Sequence, residues 1–183
     1  FELFFDSLGF LQPFRTQANS MFKAWDQSSF TPSTSTGPTN DISLNGYYMY
    51  TESSSPNFNS TFVLQSECID ISALESPSIR FSYHMYGAGM GSLVLVVNND
   101  TAWTLSGEQG DQWHETQINL ENYSQLSPQG YYDEPIKITF IGTSLSTYTS
   151  DMAIDQVIID EAMPYGCNDT NAMNYDSLAY FDD

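Results

Sequence analysis

The segment Asp151 to Asp160 (DMAIDQVIID) carries acids inside an apolar run, and Asp155 falls on the strand face opposite Ile154. Side chains of a β-strand point alternately to its two faces, so a carboxylate within such a strand is either solvated or bound to something. The chain has 23 acids and only 4 bases (Arg15, Lys23, Arg80, Lys137). That placement and that excess point to a cation and not to an active site. The cation would be a hard one held by oxygens, because no His/Cys cluster has the spacing that a transition metal requires.

Catalytic chemistry finds little support. His84 and His114 are the only histidines. His84 lies on a strand and reads as a hydrogen-bonded structural residue, and His114 reads as an edge residue. A hydrolytic triad needs a serine in a strained elbow, and no G-x-S-x-G is present. Gly107-Glu108-Gln109-Gly110-Asp111 is a turn and not a phosphate loop, since neither a helix nor a lysine follows. Among so many carboxylates nothing singles out a pair for glycoside hydrolysis. Aromatic rings are the other candidates, because the C–H faces of sugars stack on exposed rings while polar neighbours bind the hydroxyls. Trp25 lies in the polar stretch Lys23 to Phe30, and Tyr131-Tyr132 lie in another loop, so these three are the expected stacking residues. Trp103 and Trp113 sit on strands and read as core.

The elements that would position these groups are short strands. Phe1 to Gln17 reads as strand material around a turn at Ser7-Leu8-Gly9, and Ser28 to Asn45 reads as a long ordered loop rich in Ser, Thr, Pro and Gly. Strands are expected over Tyr47 to Glu52, Phe62 to Ser66 with Cys68 to Ile71 continuing, Ser78 to Tyr86, Ser92 to Val97, Ala102 to Leu105, Trp113 to Leu120, Ile136 to Thr143, and Met152 to Ile159. In Ser78 to Tyr86, Ile79, Phe81, Tyr83 and Met85 share one face and Arg80, Ser82, His84 and Tyr86 the other. Frequent turns and the lack of an amphipathic helix predict an all-β fold, an antiparallel β-sandwich of jelly-roll type.

The 183 residues fit one ordinary domain with a tail. Residues 1–162 form the expected jelly-roll module, and residues 163–183 a linker and an Asn/Asp-rich segment. The formal charge of -19 excludes nucleic acid and anionic membrane surfaces as partners, since both need clustered Lys and Arg. It also suits solubility in salty surroundings. No apolar run approaches the length of a membrane span. The abrupt start at Phe1, without a signal peptide, reads as a piece of a longer secreted protein. Cys68 and Cys167 have the option of pairing.

Several motifs together resemble the MAM domain, an extracellular jelly-roll module. They are the Gly37-Pro38 loop leading to Asp41, Gly46-Tyr47-Tyr48-Met49-Tyr50 with Glu52 and Ser53, and Phe81 to Gly87 with Met90-Gly91-Ser92-Leu93. Ser106 to Gly110 before Trp113 and Asp151-Met152-Ala153-Ile154-Asp155 complete the set. The likeness covers roughly residues 1 to 161. From Gly166 the tail resembles the acidic GC-x-D-x-x-A-x-NYD repeat of secreted Bacteroidetes proteins, cut before its usual second cysteine. The resemblance implies a structural calcium between the N-terminal strand, the loop before the Gly46 to Tyr50 strand, and the last strand. The matching positions are Asp6, Asp41 and Asp155, with Asp151 and a carbonyl near Gly46 as weaker candidates.

The function expected is a non-catalytic, secreted, extracellular binding module within a larger bacterial protein, its partner a polysaccharide or a cell-surface protein. An open groove of aromatics and amides would mark a carbohydrate-binding module. An exposed apolar patch with a symmetric dimer would mark an adhesion module, with a secreted protease as one attachment.

Overall fold

The structure is a computed structural model that describes residues 14–17, 21–125, 128–130, 132 and 134–182. Among the described residues eleven strands run in chain order: β1 (Phe14–Gln17), β2 (Phe22–Lys23), β3 (Asp26–Ser28), β4 (Tyr48–Tyr50), β5 (Thr61–Ser66), β6 (Pro77–Met85), β7 (Ser92–Val97), β8 (Asp100–Ser106), β9 (His114–Asn119), β10 (Ile138–Thr143) and β11 (Met152–Glu161). One sheet has the order β1-β5-β10-β7-β8, with β2 beside β5, and the other the order β3-β4-β11-β6-β9. All pairings are antiparallel except the two-residue β2–β5 pair. This is the expected all-β sandwich. Among the described residues the one helical element is a 3-10 turn at Glu121–Tyr123.

The two inner faces supply the core. Phe62, Leu64, Leu93, Leu95, Val97, Ile138 and Phe140 meet Ile79, Phe81, Met85, Met152, Ile154, Val157 and Ile159, all buried. Phe81 and Phe140 join the sheets edge to face, with ring centroids 5.0 Å apart. Full burial of each such side chain stabilises by about 2 kcal/mol.

Strict alternation fails at one place in β11. A bulge between Asp155 and Ile158 puts Gln156 at φ 47°. Without it, Ile154 and Val157 would face opposite ways; with it, both point inward. Asp155 is thereby left outside the bend, where its Oδ1 accepts from Gln156 N at 2.8 Å.

Trp25 corrects an expectation. It lies at the crossing from β2 in one sheet to β3 in the other, and it is only 2% exposed. Its ring closes the edge of the core against Gly142, where a Cβ would come within 3.2 Å of it. Tyr132, 6% exposed, likewise packs into the core at the other end. A ring so enclosed has no free face for a sugar, so neither serves as a stacking platform. Tyr131 lies outside the described residues.

The outer face of the β3–β9 sheet is also covered. Tyr48, Tyr50 and Ala153 form a second small cluster under Trp113. The 29–47 loop lies over this face and is pinned to it. Tyr48 donates to Pro38 O (2.9 Å), Gly37 N to Tyr86 O (3.0 Å) and Trp113 Nε1 to Asn40 O (3.0 Å). Ser82 and His84, on the outward side of β6, are therefore buried.

Residues 163–182 carry only isolated bridges, at Tyr165–Phe181 and Cys167–Tyr175. They lean on β6 and β9: Gln117 exchanges hydrogen bonds with Met163, and Arg80 sits 5.3 Å from the Tyr180 ring centroid. Cys68 and Cys167 are both free thiols. No described helix is long and apolar enough to cross a membrane.

Candidate functional site

The outer face of β4, β11 and β6 sets acids at fixed intervals. Ala153 pairs with Tyr50 on one side and His84 on the other, and Asp155 pairs with Ser82. The ladder between β4 and β11 continues one step, because Thr51 N donates to Met152 O at 2.9 Å. Glu52 is thereby brought opposite Asp151. Asp151 and Asp155 lie four residues apart along an extended strand, about 13 Å.

Asp155 and Asp41 form the first group. Asp155 Oδ2 accepts from Ile42 N at 3.1 Å, which ties the end of the loop to the last strand. Asp41 Oδ1 accepts from Gly46 N at 2.8 Å; its Oδ2 accepts from Ser43 N at 3.0 Å and from the Ser43 hydroxyl. Gly46 is required here, since a Cβ would meet Asp41 Oδ2 at 2.8 Å. Burial pushes the Asp155 carboxyl up to about 6, and the nearby Asp41 charge adds to that, against the Ile42 and Gln156 hydrogen bonds. Burial acts on Asp41 in the same sense, but the bonds from Ser43 and Gly46 outweigh it and leave that carboxyl below its usual range.

Asp151 belongs elsewhere. It is 0% exposed. Its Oδ1 accepts from Ser53 N (2.7 Å) and from Ser53 Oγ (2.6 Å), and its backbone N donates to Thr36 Oγ1 (3.0 Å). Burial pushes its carboxyl up to about 6, and Glu52 adds to the rise. One ion takes its oxygens at 2.3–2.6 Å, as calcium typically does, so Asp151 and Asp155 cannot share one. Of the expected ligand set, the fold brings together Asp41, Gly46 and Asp155, and sets Asp151 apart. Asp6 lies outside the described residues. No group of three or more His, Cys, Asp or Glu suited to a metal occurs among the described residues.

A cleft of about 480 Å³ opens beside Asp41, lined by Ser29, Phe30, Thr39, Asn40, Leu44 and Tyr47 among others. Phe30 is 58% exposed and Tyr47 46%. The sequence reading passed over these residues. The available signal was their apolar character inside a loop otherwise built of Ser, Thr, Asn and Gly. A second cleft of about 430 Å³ lies on residues 31–39, with Tyr86 and Asp111 on its wall.

His84 Nε2 meets Asp111 Oδ1 at 3.3 Å, and burial pulls its imidazole down to about 4 despite Asp111. His84 is thus neutral at pH 7, and its other nitrogen, Nδ1, has no hydrogen-bond partner. His114 Nε2 contacts Gln109 O at 2.9 Å and Gln112 Nε2 at 3.3 Å. No described hydrogen bond links either imidazole to a serine or threonine hydroxyl, the arrangement that nucleophile activation uses.

The family model "MAM domain, meprin/A5/mu" matches residues 7–168. The rat MAM domain-containing glycosylphosphatidylinositol anchor protein 1 is 37% identical over 145 residues, covering 69% of this chain and 13% of that protein. Zebrafish neuropilin-1a is 27% identical over 169 residues, covering 82% of this chain and 16% of that protein. The chain thus spans a small part of the curated relatives it matches. Among solved structures, the K3 cleaved adhesin domain of Lys-gingipain from Porphyromonas gingivalis superposes with a TM-score of 0.54 at 8% identity, covering 81% of this chain and 91% of that one. At that identity the likeness is one of fold.

Proposed function

The chain belongs to the MAM domain family and is an extracellular-type binding module, and from that premise we propose that it binds a neutral polysaccharide through the Phe30–Tyr47 cleft. The observation that carries this reading is the cleft's composition. Two exposed rings, Phe30 and Tyr47, line the cleft together with Asn40 and Asn45, whose side chains carry amides. Rings offer stacking faces to C–H groups, and amides both donate and accept toward hydroxyls. The acidic surface favours an uncharged glycan over an anionic one.

Calcium is part of the proposal. Asp41, Asp155 and a carbonyl near Gly46 would hold it, with Asp6 completing the set. The donors are all oxygens, and none of the described ion pairs supplies a base to Asp41 or Asp155. The ion would supply no chemistry beyond cross-linking the loop that forms the cleft to the last strand. We further propose that the tail from Gly166 begins an acidic repeat of the kind found in secreted Bacteroidetes proteins.

The test is affinity gel electrophoresis against a polysaccharide panel, in calcium and then in chelator. Retardation by a neutral glycan, lost in Tyr47→Ala while the melting temperature holds, is the expected result. Absence of retardation by every glycan for the folded protein overturns it. A second reading is protein adhesion; one relative is by name a glycosylphosphatidylinositol anchor protein. Its mark would be a concentration-dependent dimer or capture of a purified cell-surface ectodomain.

A further inference from the structure

Asp151 has an unanswered oxygen. Its Oδ1 takes two hydrogen bonds from Ser53, but the buried Oδ2 has no partner. A buried polar atom without a partner loses its hydration and gains nothing for it, and the loss is greater when the group is charged. The neighbour across the ladder makes this worse. Glu52 stands opposite Asp151 and raises its carboxyl, and like charges placed directly opposite destabilise a sheet. No base answers either acid: the described ion pairs join Arg15 to Glu67, Arg80 to Glu115 and His84 to Asp111.

Glu52 Oε1 accepts from Ser54 N at 2.9 Å, and oxygens lie around the rest of the pair. The Ser33 hydroxyl stands beside the Asp151 carboxylate and contacts Ser54 Oγ at 3.3 Å. Thr36 Oγ1 accepts from Asp151 N, and Tyr148 O accepts from the Ser53 hydroxyl at 3.0 Å. Ser33 and Thr36 also line the 430 Å³ cleft, so the hydroxyl side of this corner borders open space while the Asp151 carboxylate itself is fully buried. Two carboxylates and neighbouring hydroxyls, with no nitrogen base, form the donor set of a hard cation.

We propose that Asp151, Glu52 and the Ser33 hydroxyl hold a second calcium-sized cation, distinct from the one assigned to Asp41 and Asp155. It pins the 31–39 segment to the start of β11, about 13 Å along the strand from the first ion. The site stands apart from the sugar-binding reading, and neither requires the other.

The experiment is a calorimetric titration of the chelated full chain with calcium chloride, alongside thermal melts. Wild type takes up two ions; Asp155→Asn takes up one. Glu52→Gln keeps its fold, because Glu52 is only half-buried, and it loses one ion or binds it at least about tenfold more weakly. The double variant Asp155→Asn, Glu52→Gln takes up none. Glu52→Gln with wild-type stoichiometry and affinity overturns the proposal. One ion in wild type, lost in Asp155→Asn and kept in Glu52→Gln, overturns this site and leaves the first intact. One ion kept in Asp155→Asn and lost in Glu52→Gln supports this site and removes the other. No ion in wild type removes both.

Discussion

Asp41, within the 29–47 loop, and Asp151, beneath it, are both buried and end in opposite electrostatic states. Asp41 receives Gly46 N, Ser43 N and the Ser43 hydroxyl on its two oxygens, and stays below the usual carboxylate range. Asp151 receives two bonds on one oxygen and none on the other, faces Glu52, and rises to about 6. Burial alone therefore does not decide the charge of a carboxyl. Burial and the number of N–H and O–H donors decide it together: Asp155, with one N–H on each oxygen, is still raised, and Asp41, with three donors, is not. A loop that turns back on its own aspartate provides those donors at Asp41. At Asp151 the neighbouring backbone donors go to hydroxyls instead, Ser150 N to Ser53 Oγ, Asp151 N to Thr36 Oγ1 and Met152 N to Thr51 Oγ1, and Ser53 N is the backbone donor that serves the carboxylate.

The largest way to break this contrast is Asp41→Ala. It removes the shared acceptor of Gly46 N and two Ser43 donors, so the loop loses its local anchor. A loss of about 2–4 kcal/mol is expected, a fall in melting temperature of roughly 5–15 °C by circular dichroism. An unchanged melt would show that the 29–47 loop is held by its Tyr48, Tyr86 and Trp113 contacts instead.

Chelation comes next. If the acids hold calcium, the ion stabilises by mass action, about 2.7 kcal/mol at a hundredfold excess over its dissociation constant. Adding chelator should lower the melting temperature by roughly 5–10 °C, with magnesium a poorer substitute for calcium. Equal melts in calcium and chelator would count against every cation site named above.

Acidification sharpens the contrast between the two acids. In the metal-free protein, burial holds the Asp151 and Asp155 carboxyls up to about 6, against an ordinary value of 3.8. A raised carboxyl holds its proton more tightly in the fold, so its penalty is full above pH 6 and is relieved as pH falls through 6 toward 4. Going from pH 7 to 5 should therefore stabilise the chelated protein by on the order of 1 kcal/mol per group. His84 opposes this: its depressed value means that acid favours the unfolded chain between about 6.5 and 4. The measurement is cleanest in His84→Gln, where the acid-side gain should be larger than in wild type. Asp151→Asn should then remove about half of that gain, whereas Asp41→Asn should remove a smaller part, through the Asp41 charge that helps to raise Asp155.

The smallest expected effect on stability is at Tyr47. Its ring is about half exposed, so Tyr47→Ala should move the unfolding free energy by less than about 0.5 kcal/mol. Its whole effect should fall on ligand retardation.

The sandwich was legible because period-2 alternation and turn chemistry are local properties. Ser78 to Tyr86, Ser92 to Val97 and Met152 to Ile159 read as strands and are strands, within a residue or two at their ends. Asp155 was legible as an acid kept from the core because it alternates with Ile154. Trp25 and Tyr132 were misread for the converse reason. Polar neighbours in sequence describe a segment's local composition, whereas Trp25 is buried by a crossing between two sheets, a property of topology. Phe30 and Tyr47 became a pair only when the loop between them closed beside Asp41.

The sequence by itself determined the all-β class, the extents of the long strands, the acidic surface and the acids that stand outside the core. Each of these follows from side-chain type at a fixed period along the chain. Only the tertiary structure decided which acids share a site. The β4–β11 register set Glu52 opposite Asp151, the bulge at Gln156 kept Asp155 outward, and the folded-back loop brought Asp41 to it. Pairing between residues a hundred positions apart is fixed by strand register and loop closure, and no periodicity within either segment encodes it.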